Sequence, residues 1–149
     1  MSEHKRILLV VDRTVSDARV VGASVRAVVD RNADEVYVIA PIFTSRVAWV
    51  TNDDGDAVAD AEQRLAATLQ QLYDRDVAAD GAVSGDETIL LAIADALAEF
   101  AADEIIIAIH ADHDRHWRER DLAETIRGTH SLPLIELVVE ADGVASVRA

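Results

Sequence analysis

At 149 residues the chain falls in the size range of one domain, long enough to bury a full hydrophobic core and too short for two. Half of it is apolar but only 4% is aromatic, so the core must be aliphatic and alanine-rich, as when helices pack on a sheet. Charge is the unusual number: 28 acidic residues against 14 basic ones leave −14, a field that repels phosphate backbones and makes nucleic acid a poor partner. Lys5 is the only lysine, and aspartates outnumber glutamates. A GC-rich genome would explain the missing lysines but not the size of the net charge, so the balance favours a salt-rich cytoplasm. Without cysteine there is no disulfide framework, thiol nucleophile or thiolate metal site. Met1 to Arg6 lead straight into a short apolar run with no cleavage site, and no stretch approaches the roughly 18 apolar residues of a membrane span. A cytoplasmic protein with no membrane attachment is expected.

Ile7 to Val11 form the first of several short, continuous, β-branched runs, the pattern of a parallel strand covered on both faces. Ala18, Val21, Val25 and Val28 then repeat at the helical period, and Val36 to Ile39 read as the second strand. From Pro41 to Asn52 the connection carries Ile42, Phe43, Val47, Trp49 and Val50, too apolar for an ordinary loop, so it either extends the core, covers a crevice or meets a protein partner. Val58, Ala61, Leu65, Leu69 and Leu72 give the cleanest helix. A weaker run, Val77 to Val83, predicts an edge strand, and Asp86 is placed to cap a helix marked by Ile89, Ile93, Leu97 and Phe100. Ile105 to Ile109 are the next strand; a helix follows through Leu122 and Ile126 to Gly128. Pro133 opens the last long strand, Leu134 to Val139, where Glu136 points to an edge with one wetter face. Asp142-Gly143 is a hairpin signal, after which Val144 to Val147 would fold back as an antiparallel arm. The order βαβαβαβαβ with short right-handed crossovers predicts one α/β domain over residues 1–149: a doubly wound, five-stranded parallel sheet with helices on both faces.

Ile7 to Asp12 followed by Thr14 resembles the opening strand and Asp-x-Ser/Thr turn of the universal stress protein family. Gly85-Asp86, Ile89 to Phe100 and Asp103-Glu104-Ile105-Ile106 are similar to its third crossover, and Ser131 to Ile135 to its last helix-to-strand junction. The order and spacing of these matches carry the resemblance, which implies a Rossmann-like fold of the adenine nucleotide alpha hydrolase type, a homodimer paired through the last strand, and an adenosine nucleotide as ligand. Asp12 would lie near the adenine. The departure falls at the phosphates: nucleotide-binding members follow the fourth strand with Gly-x-x-Gly, nine residues and Gly-Ser/Thr, so that backbone amides can approach the ligand. Here His110 to Asp121 contain no glycine, Asp112 and Asp114 would repel a triphosphate, and Arg115, Arg118 and Arg120 offset part of that repulsion.

In a doubly wound sheet the ligand crevice lies beyond the carboxyl ends of the strands where successive crossovers part to opposite faces, here between the first and fourth strands. The candidate nucleotide-binding residues are therefore Asp12, Arg13, Thr14, Ala40, Pro41, His110, His113 and Arg120. Asp12 and Thr14 are equally suited to capping the first helix. His110, His113 and His116 recur every third residue beside two aspartates, a ligand set that suits zinc, though a solvated polar loop has the same composition. No nucleophile with a partner base is readable, and no catalytic residue is assigned. Three functions stay open: a regulatory or ligand-binding module with weak nucleotide binding at a degenerate site, an interaction-only homodimer with an empty crevice, and a small metal-dependent hydrolase using the His110 to His116 loop.

Overall fold

The computed structural model describes residues 5–11, 18–42, 54–85, 89–110, 122–140 and 145–148. In chain order these form β1 (Arg6–Val11), α1 (Ala18–Asp30), β2 (Glu35–Ile42), α2 (Asp54–Asp74), β3 (Ala78–Gly85), α3 (Ile89–Glu99), β4 (Glu104–His110), α4 (Leu122–Thr129), β5 (Leu134–Val139) and β6 (Ala145–Arg148). The sheet order is β3-β2-β1-β4-β5-β6. Its first five strands are parallel, as the sequence predicts, and β6 is antiparallel to β5.

The continuous apolar runs exist because both faces of the sheet are covered. Ile7, Leu9 and Val11 of β1 point to one face and pack with Val21, Val25 and Val28 of α1 and Leu72 of α2. Leu8 and Val10 point to the other, against Ile89 and Ile93 of α3 and Leu122 and Ile126 of α4. Right-handed crossovers dictate this division: α1 and α2 carry the chain outward from β1 to β3, whereas α3 brings it back to β4 and α4 takes it on to β5. α1 and α2 end alike, with Asn32 and Asp76 at φ 60°. The amides of Ala33 and Val77 reach back five residues, to the carbonyls of Val28 and Leu72, and so close the last turn of each helix.

Charged groups fix the amino ends of the central strands. The Asp34 carboxylate accepts from the Lys5 amide at 2.7 Å and the Asp103 carboxylate from the Arg6 amide at 2.9 Å. Arg31, just past α1, grips buried Glu104 at the start of β4 with both prongs of its guanidinium, Nη2 lying 2.6 Å from Oε2. This hydrogen bond raises the Arg31 pKa despite the opposing effect of burial.

Two expectations need correction. β5 is not the outer edge: Glu136 to Val139 pair with Arg148 to Ala145, the antiparallel arm that the Asp142-Gly143 signal predicts. Glu136 does not mark a wet face either. It is only 9% exposed, and Arg127 of α4 lies 3.7 Å from its carboxylate, a helix-borne charge that lets an acid point inward.

Candidate functional site

The parallel registers bring three carboxyl ends side by side. Val10 of β1 lies level with Ile39 of β2 and with Ile107 of β4, so Ala40, Pro41 and Ile42 extend the sheet on one side of Val11 while Ile109 and His110 extend it on the other. Because α1 leaves β1 for one face and α4 leaves β4 for the opposite face, the crossovers part between β1 and β4. That is the switch point at which α/β sheets hold ligands.

Of the residues assigned to this crevice, Ala40 and Pro41 are placed and buried, and the backbone of His110 ends β4. Asp12, Arg13, Thr14, His113 and Arg120 lie outside the described residues, as do His116 and therefore the proposed metal set. The segment from Phe43 to Asn52 lies outside them too.

Arg64 was missed by the sequence reading and holds the described rim. Its side chain leaves α2, is 6% exposed, and donates through Nη2 to the Pro41 carbonyl at 2.6 Å and through Nη1 to Asp60 at 2.8 Å. Thr68 donates to the Arg64 carbonyl one turn on, at 2.7 Å. Both polar residues share the helical stripe of Ala61 and Leu72, so a polar side chain at a core position was the signal available. A guanidinium held there ties the end of β2 to α2 at Pro41, where the strand still pairs with Ser84 of β3.

A second concavity runs between α3 and the β2–β3 pair. It has a volume of about 370 Å³ and is lined by Tyr37, Ile39, Ala82, Ser84, Asp95 and Glu99. Ala92 and Ala96 of α3 also border it. Tyr37 stacks obliquely on Phe100, ring centres 6.0 Å apart. Burial raises the Tyr37 pKa, and the negative charges of Asp80 and Glu99 raise it further. The groove opens on the face of the sheet, whereas the crevice lies at its carboxyl edge.

Solved structures share this fold. A protein of the universal stress protein family from Burkholderia pseudomallei superposes with a TM-score of 0.56 at 14% identity, covering 89% of this chain and 95% of its own. The chain has a universal stress protein-like fold. A universal stress protein from Archaeoglobus fulgidus gives 0.54 at 16% identity, over 90% of this chain and 98% of that one. Neither a protein-family model nor a curated protein matches the sequence. Among the described residues no helix is long and apolar enough to cross a membrane.

Proposed function

We propose that the chain is a single-domain, universal stress protein-like regulatory or ligand-binding module of the cytoplasm, a homodimer that binds an adenosine nucleotide weakly at the crevice between β1 and β4. The observation that supports this reading is the switch point itself, which falls between the same strands as the predicted chain order implies and is set in a fold shared with two universal stress proteins. The weakness follows from the sequence after Ile109: a triphosphate needs converging backbone amides, and side chains stand where the resemblance calls for glycine. Losing two charge-assisted hydrogen bonds, at roughly 1.5–3 kcal/mol each, lowers affinity by about two to four orders of magnitude.

Calorimetry with ATP, AMP and adenosine, each with and without magnesium, tests this reading. The three should bind within about tenfold of one another, because adenosine contacts then dominate. Tight, magnesium-dependent binding of ATP that AMP cannot match would refute the degenerate site. No binding by any of them would leave the interaction-only reading, which the glycine-free segment from His110 to Asp121 also supports. Because β6 covers Glu136 to Val139, the strand that would pair two copies on this side is β6, and its Val147 side chain is exposed.

A further inference from the structure

β3 ends the sheet on the side remote from β6, and among the described residues no strand pairs with its outer side. A strand in that position offers its outward backbone groups to any other strand. In a parallel pair, alternate residues turn their amide and carbonyl to the neighbour and the rest turn theirs away. Two hydrogen bonds identify the outward set in β3. The Tyr73 hydroxyl donates to the Ala79 carbonyl at 3.0 Å, and the Gly81 amide donates to the Asp80 carboxylate at 2.8 Å. Residues 79, 81 and 83 therefore face the open side.

The edge so exposed is self-complementary. Antiparallel pairing of two copies about Gly81 would set Ala79 opposite Val83 and Asp80 opposite Ala82, so no like charges would meet and no bulky side chain would intervene. Its eight residues, Ala78–Gly85, contain neither lysine nor proline, the common blocks on an edge. What stands in the way is the pair of bonds just described. Tyr73 is 58% exposed, so burial does not account for its placement, and its hydroxyl lies on the strand's outer side.

We infer that Tyr73 and Asp80 hold the β3 edge closed against a second copy of this chain, by occupying the Ala79 carbonyl and the Gly81 amide that edge-to-edge pairing would use. The guard confines strand addition to the β6 side of the sheet. It does not depend on whether the crevice binds a nucleotide.

Sedimentation of the parent, Tyr73→Ala, Asp80→Ala and the double variant tests the inference. The double variant should associate beyond the parent's state at about tenfold to hundredfold lower concentration, with each single change giving a smaller effect. Asp80→Asn keeps an acceptor for the Gly81 amide while removing the charge, and it should retain the parent's state. If Asp80→Asn associates as readily as Asp80→Ala, repulsion and not the occupied amide is the block, and the inference fails. It fails equally if the double variant is folded and associates no more than the parent. Should the double variant not fold, hydrogen exchange in the parent decides: the Gly81 amide should exchange about tenfold more slowly than those of Ala79 and Val83, and equal rates would overturn the proposal.

Discussion

Replacing Arg64 with methionine isolates the bond that ties the end of β2 to α2. Methionine keeps most of the aliphatic stem and removes the buried charge, so the comparison weighs lost hydrogen bonds against relieved desolvation. The bond to the Pro41 carbonyl is buried and charge-assisted, worth roughly 1.5–3 kcal/mol. The bond to Asp60 is worth less, about 0–1 kcal/mol, because that carboxylate is 37% exposed and water replaces its partner. Relief of desolvation offsets part of the sum, so we expect a net loss of about 1–3 kcal/mol, or about 3–9 °C in Tm for a chain of this size. Urea unfolding of Arg64→Met, Asp60→Ala and the double variant measures both terms. The coupling between Arg64 and Asp60 should stay under about 1 kcal/mol while Arg64→Met alone costs more. A variant within about 0.5 kcal/mol of the parent would show that the Pro41 link holds nothing.

Gly81→Ala would place a β-carbon 2.4 Å from the Val38 carbonyl oxygen and 2.7 Å from Leu65 Cδ1; Leu65 can turn aside, but backbone of the paired strand cannot, so we expect a loss of about 2–4 kcal/mol in denaturant unfolding. A loss under about 1 kcal/mol would mean that β3 shifts outward freely. Tyr37 titrates above its ordinary value of 10.0, so the folded state keeps that proton longer than the unfolded state and stability falls as pH rises through the folded pKa. Tyr37→Phe should flatten that alkaline fall; an unchanged slope would refute the assignment. Deleting residues 145–149 removes β6 and uncovers the β5 backbone from Glu136 to Val139, so light scattering should show association beyond the parent's state, whereas a truncated chain no larger than the parent's assembly would show that the arm protects nothing. With a net charge of −14, Tm should climb between low and molar potassium chloride as ions screen self-repulsion, and a flat response would contradict this.

Which parts of the structure were legible depended on whether one strand or helix carried its own signal. β1, β2 and β4 carry continuous apolar runs because both faces are covered, and β5 does so but for Glu136. β3 reads faintly, since Ala78, Ala79, Gly81 and Ala82 have little β propensity, and its place in the chain order identified it better than its composition did. The same order located the switch point between β1 and β4. Glu136 misled because its partner, Arg127, comes from α4, and a pairing across elements leaves no local pattern. Arg64 escaped because a periodicity count scores apolar positions and passes over a polar one in the same stripe. The bonds from Tyr73 and Asp80 depend on which backbone groups of β3 turn outward, a parity fixed only when β2 pairs with it.

Among the described residues the two ends of the sheet are secured by different means, with Arg64 holding the Pro41 carbonyl at the carboxyl end. At the amino end, Asp34 and Asp103 hold the first amides of β1 from either side, and Arg31 locks α1 to β4 through Glu104. Central packing does the rest, with Ile7 to Val11 excluded from solvent on both faces. A sheet pinned at its amino end can keep its fold while the chemistry at its carboxyl end drifts. In keeping with that, the chain shares its fold with two universal stress proteins at 14–16% identity.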